Sequence, residues 1–156
     1  MKTVSKSDLD NVVSSLLVPL QQKNLLVPNV AVAEVVSLSE LTPAKSGPPW
    51  LLGYLDWRGE RVSVMSFEVA NSQLRSQDSS SARIAVFNAV SGLGQQRFFG
   101  LLVQGIPRMI KLGDQDVRED AQAATGQAEK MAVITQLGKA SIPDLDFLES
   151  LVARLD

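Results

Sequence analysis

A mainly β domain, built as a sandwich or as small barrels, is the fold class this sequence predicts. Three observations carry it. Short runs rich in Val, Leu, Ile and Phe recur about every 8–12 residues. Glycines and prolines punctuate those runs. Helical spacing of apolar residues is clear only near the end of the chain, at Leu148, Leu151, Val152 and Leu155. With 156 residues, 45% of them apolar, the chain can bury one sizeable core, either as one domain or as two small, closely packed lobes. We expect a single domain over residues 1–156.

The elements follow in order. "SKSDLDNVV" (5–13) predicts a helical turn, since Ser5 and Asp8 have capping-box spacing. "SSLLVPL" (14–20) and "NLLVPNV" (24–30) read as a hairpin around Gln21-Gln22-Lys23. Pro19 and Pro28 cannot donate ladder hydrogen bonds, so both belong at edges or strand ends. "VAEVVSL" (32–38) is a strand with Glu34 facing solvent, and "SELTPAKSGPP" (39–49) a loop. "LLGYLDWRGERVSVMSF" (51–67) holds two strands around a charged turn.

Beyond it, "ANSQLRSQDSSSAR" (70–83) is polar and serine-rich, the composition of a mobile loop. "RIAVFNAV" (83–90), the turn "SGLGQQ" (91–96) and "RFFGLLVQGI" (97–106) predict a second hairpin, and "PRMIKL" (107–112) one more short strand. "GDQDVREDAQAATGQAEK" (113–130) reads as an exposed connection with a helical turn. "MAVITQL" (131–137) and "KASIPDL" (139–145) flank Gly138 as a last pair. In "DLDFLESLVARLD", Asp144 and Asp146 stand near the start of a short amphipathic helix and Arg154 near its end, as the helix dipole prefers. Leu101, Leu102, Val103, Ile106 and Met109 are core candidates.

Composition excludes much chemistry. There is no cysteine, hence no disulfide, thiolate ligand or cysteine nucleophile. There is no histidine, so no Ser-His-Asp triad, no phosphorylatable histidine and none of the commonest zinc ligand. The net charge of −2 and the lack of a basic run give no general attraction to nucleic acid or anionic membrane. No apolar run approaches the roughly 20 residues that span a bilayer, and the N-terminus lacks a signal-peptide core. A soluble, cytoplasmic protein without cofactor or direct membrane insertion is expected. Asp56 and Glu60 flank the charged turn but read as solvent-facing charges. "DQDVRED" (114–120) lacks the central Gly and closing Glu of a Ca²⁺ loop. "GLG" (92–94) is a turn with no phosphate-binding helix after it. Neither a catalytic nor a metal site is expected.

The succession of segments resembles the CheW family of chemotaxis coupling proteins. The resemblance rests on Ala33-Glu34-Val35-Val36, the prolines Pro43, Pro48 and Pro49, then Gly53-Tyr54-Leu55-Asp56-Trp57-Arg58-Gly59, and Val62-Ser63-Val64-Met65-Ser66-Phe67. "FFGLLVQGIPRMIKL" (98–112) and "VITQLGKASIPDLDFLESL" (133–151) extend it over roughly residues 14–152. Ser63 stands where the family usually has proline, Ser66 and Gln104 where aspartate is common, and Ile142-Pro143-Asp144 also departs from the pattern. These departures suggest a divergent or accessory member.

The resemblance implies two closely packed five-stranded SH3-like β-barrels with a short C-terminal helix. It implies a non-catalytic adaptor between the cytoplasmic tip of a chemoreceptor (a methyl-accepting chemotaxis protein) and the regulatory domain of a CheA-type histidine kinase. Recruitment to membrane-associated receptor arrays would follow, with flagella, type IV pili or another system as the output. Arg58-Gly59 matches the family's receptor-coupling turn. Read from the residues alone, Arg58 is a solvated hairpin arginine beside a core tryptophan. The resemblance makes it a receptor contact, with Gly59, Trp57, Val35 and Val36 as companion candidates and Trp57 the nearest to core. A protein-binding barrel outside chemosensing is the alternative, and a metal-dependent enzyme a more distant one.

Overall fold

The computed structural model describes residues 14–113 and 116–155. The helical turn expected over 5–13 lies outside them, as does the start of "DQDVRED". The chain forms β1 (Ser14–Pro19), β2 (Asn24–Pro28), β3 (Val32–Ser37), β4 (Thr42–Pro43), β5 (Leu51–Trp57) and β6 (Glu60–Met65). The one-turn helix α1 (Phe67–Ala70) follows, then β7 (Arg83–Asn88), β8 (Phe98–Val103), β9 (Arg108–Lys111), β10 (Val117–Glu119), β11 (Glu129–Thr135) and β12 (Gly138–Pro143). Helix α2 (Leu145–Ala153) comes last.

The strands lie in two sheets, ordered β3-β7-β8-β6-β5-β4 and β9-β1-β2-β12-β11-β10. Each has five longer strands and one short edge strand, the two-residue β4 or the three-residue β10. The two orders are the same if β9–β12 stand for β3–β6 and the β1–β2 hairpin for β7–β8. Each sheet contains one parallel pair, Val64↔Gly100 in the first lobe and Ala140↔Asn24 in the second. A helix follows the equivalent strand in each, and the hydrogen bond Ser66 N to Trp50 O matches Asp144 N to Ala128 O, both 2.8 Å. The repeat is one of topology. The sequence itself shows no convincing period.

Local chemistry fixes the element ends. Pro19 and Pro28 close β1 and β2, where a missing N–H costs no ladder bond. Ser66 Oγ accepts from Val69 N at 3.2 Å and Asp144 Oδ1 from Phe147 N at 3.0 Å, so each caps its helix. Ser66, where the resemblance would lead one to expect aspartate, is therefore the N-cap of α1. Asp144→Ala should cost about 1 kcal/mol of stability, read by thermal unfolding.

Two expectations need correction. The connection 113–130 holds strand β10 rather than a helical turn, because buried Val117 seats it on the second lobe's core and Val117↔Thr135 pairs it with β11. Ile106 and Met109 are exposed rather than core. Ile106 lies in the turn before β9, and Met109 is on the edge strand β9, whose side chains are mostly outside.

The central core runs between the sheets. Val18, Leu25 and Val27 of one pack with Met65, Phe87, Phe99 and Val103 of the other, and Leu148 and Val152 of α2 join them. Each helix also crosses to the opposite lobe. Glu68 of α1 accepts Gln21 N at 3.2 Å, and Glu149 of α2 accepts Ser91 N at 2.9 Å and Ser91 Oγ at 2.7 Å. A third polar lock centres on Glu129, whose side chain is 1% exposed. Its carboxylate receives Lys23 Nζ (2.9 Å), Asn71 Nδ2 (2.7 Å), Gly126 N (3.0 Å) and Ser141 Oγ (2.5 Å). Asn71 belongs to the first lobe and the other donors to the second, so this buried charge joins the two.

Candidate functional site

The turn between β5 and β6 carries the candidate residues. Arg58 (φ 49°) and Gly59 (φ 80°) are both left-handed, as in the two-residue hairpin turns whose twist matches that of the flanking strands. Gly59 takes that conformation without strain, and a Cβ there would meet nothing within 4 Å. The turn is therefore open to a partner.

Alternation along β5 turns Trp57 inward. It is 5% exposed and packs edge-on against Phe98 of β8 with ring centroids 4.7 Å apart. Its indole N–H donates to Glu34 Oε1 at 2.9 Å. The Arg58 guanidinium lies 4.4 Å from the centre of the Trp57 ring, with Nη2 3.5 Å from the same Glu34 oxygen. Arg58 is 68% exposed and Glu34 45%, so the pair is an exposed one of small energy. Its effect is geometric. The guanidinium is held over the Trp57 ring while most of the side chain stays exposed to solvent. A second arginine continues the surface, since Arg97 lies 5.6 Å from the Phe98 ring centre and 3.9 Å from Glu60.

Trp57, Arg58 and Gly59 are thus brought together, and Trp57 is core in its body. Val35 and Val36 lie on β3, the adjoining edge strand, and do not share a face. Val35 packs on the central core and Val36 on the first lobe's interior, each half buried. Glu34 is exposed as expected, but sequence reasoning missed its bridging role, which arises from β3, β5 and β8 meeting in space. Glu34→Ala leaves the indole N–H without its acceptor, so thermal unfolding should show a loss of about 1 kcal/mol. Glu34→Gln, which keeps an acceptor, should be close to neutral.

Asp56 is exposed and lies opposite Arg61 rather than pairing with Glu60. Among the described residues no group of three or more His, Cys, Asp or Glu side chains could hold a metal ion. A groove of about 380 Å³ lies in the second lobe, lined by Leu26, Val27, Met131, Ile142, Pro143 and Leu145 among others. Lys130, Asp144 and Asp146 also line it, so its wall is mixed in polarity. No helix among the described residues is long and apolar enough to cross a membrane.

The comparisons with known proteins agree with this picture. No curated protein matches the sequence. Among solved structures, the chain is similar to the scaffolding protein TtCheW from Thermoanaerobacter tengcongensis, with a TM-score of 0.68 and 16% identity over 84% of this chain and 88% of that one. That likeness supports the fold of two SH3-like barrels with a short C-terminal helix. The CheW-like domain matches residues 14–151, nearly the whole described length. CheW-like proteins are non-catalytic scaffolds of chemotaxis. With both barrels, the capped helices and the Arg58-Gly59 turn in place, the chain belongs to the CheW family.

Proposed function

We propose that this chain is a chemosensory adaptor which holds the cytoplasmic tip of a chemoreceptor and the regulatory domain of a CheA-type histidine kinase in one complex. It acts as one CheW-like unit, in the cytoplasm, recruited to membrane-associated receptor arrays. The observation that carries this reading is the Arg58-Gly59 turn. An open turn presents a guanidinium seated on a buried indole, with donors directed outward. Such a group suits the carboxylates and helix-end carbonyls of a helical receptor hairpin. Gly59 lets the partner backbone approach, and the exposed parts of Val35 and Val36, on opposite faces of the edge strand β3, are the apolar contacts proposed beside it.

The mechanism is associative. No bond is made or broken. Coupling of receptor state to kinase activity comes from holding both in fixed relation. The test is a pull-down of the purified chain against the regulatory domain of each CheA-type kinase and the cytoplasmic tip of each receptor from the same organism. Saturable binding to one of each is expected. A well-folded chain that binds none would leave the barrel-type binding module outside chemosensing as the better reading.

A further inference from the structure

The sheet of the second lobe opens at one end. β2 finishes there at Pro28 and β12 at Pro143, and β11 starts there at Glu129. The groove of about 380 Å³ lies at that end, walled by residues 26–28, 130–131 and 142–146. Met131 and Ile142 pack on the second lobe's own core and Leu145 on the central one, and all three are only partly buried. The groove is thus a place where both cores reach the surface. On its α2 side Asp146 is exposed, and Asp144 has one carboxylate oxygen occupied by Phe147 N.

Antiparallel pairing puts the start of β1 at the same end, with Ser15 opposite Pro28. The chain before Ser14 therefore enters beside the groove, within about 10 Å of Pro28. That stretch reads "MKTVSKSDLDNVV". Leu9, Val12 and Val13 stand at i, i+3 and i+4, so the helical turn predicted from Ser5 puts them on one face. Lys6 precedes Leu9 by three and shares that side, which suits a wall holding Asp144 and Asp146. Length agrees as well. Residues 5–13 as helix are about 14 Å long. The three strand spacings from β1 across β2 and β12 to β11 also come to about 14 Å. A tether this short gives the segment an effective concentration on the order of millimolar, well above that of a second copy in solution.

We propose that residues 5–13 fold back as an amphipathic strap over this groove, with Val12 and Val13 beside Pro28, Leu9 over Ile142 and Lys6 at Asp146. The strap covers the place where both cores surface, and a partner that uses this end of the second lobe meets the strap first. The chain has no cysteine of its own, so an engineered pair reports the contact cleanly. Leu9→Cys with Ile142→Cys places a pair across it. Leu9→Cys with Leu137→Cys is the control, since Leu137 lies in the turn between β11 and β12 at the other end of the sheet. Both full-length variants are oxidised at low protein concentration, and thermal unfolding checks that each is folded. The first pair should close within the monomer at least tenfold faster than the second, because a disulfide needs Cα atoms within about 7 Å. Equal rates overturn the strap, and so does a disulfide that joins two chains, which would give the groove to a second copy. A further measurement leaves the groove unaltered. A nitroxide on Lys2→Cys should broaden the amide signals of Met131, Ile142 and Leu145 and spare that of Leu137. Uniform broadening, or none, overturns the inference as well.

Discussion

Arg58→Glu is expected to weaken receptor-tip binding at least tenfold, and more at low salt, while the protein stays folded. The substitution turns an outward donor fork into an acceptor. A receptor carboxylate that met a cation then meets a like charge, which costs several kcal/mol at a close contact. The folded state loses little. The Arg58–Glu34 pair is exposed on both sides and weak, and the contact with the Trp57 face is worth roughly 0.5–1 kcal/mol at such a site. The left-handed backbone at φ 49° suits glutamate about as poorly as arginine, so strain does not change. Unfolding should shift by only about 2–4 °C. Binding by interferometry, with thermal unfolding as control, checks both halves. Arg58→Lys separates charge from shape. It keeps the cation but loses the planar fork, so partial binding is expected. Unchanged binding by Arg58→Glu would remove this residue from the receptor surface.

Glu129→Ala should be the most destabilising of the single substitutions considered. It removes a carboxylate that receives bonds from Lys23, Asn71, Gly126 and Ser141, and leaves those donors unpaired in a site almost closed to water. Breaking such a network costs about 3 kcal/mol or more. For a chain of this length that is roughly 6–12 °C in midpoint. The same group gives the protein an acid limit. Burial opposes ionisation of Glu129, but the bonds from Ser141, Gly126, Asn71 and Lys23 outweigh it and bring its pKa down to about 2. In the unfolded chain the carboxyl takes up its proton near the ordinary value of 4.5. The stabilisation is therefore complete above about pH 5 and is lost as pH falls through 4.5 toward 2. Denaturant titrations at pH 7, 4 and 2.5 should show the wild type losing stability across that window. Glu129→Gln, which cannot ionise, should lose less over the same range.

The strands were legible because their punctuation is local. Two-residue turns, prolines at strand ends and alternating apolar positions placed most of them within a residue or two, and the helical spacing of Leu148, Leu151, Val152 and Leu155 after acidic Asp144 and Asp146 announced α2. Helix α1 was not legible. Its four residues follow a strand without a break in apolar character, and only the Ser66 cap distinguishes them. Strand β10 was hidden for a similar reason, since Val117 is its one buried residue in a polar stretch. The tertiary links left no trace in sequence. Gln21, Gln104 and Gln127 look like ordinary surface glutamines until the loop after α1 is seen to hang on them. Glu34 and Trp57 lie 23 residues apart and meet only through the strand register. Glu129 reads as one more charge before a strand, although it ties the two lobes together. The Arg58-Gly59 turn itself was legible as short-range information, but its candidacy as a contact came from the family resemblance, and the placement of Val35 and Val36 depends on faces that only the assembled sheet defines.

The most direct measurement of adaptor function is sequential loading on a sensor surface. The kinase regulatory domain is immobilised, the chain is added, and the receptor tip follows. Two successive additions are predicted, the tip binding only where the chain is present and not displacing it, with Arg58→Glu abolishing the second step alone. Displacement of the chain by the tip, or no binding of the chain at the first step, would contradict an adaptor that carries both partners at once.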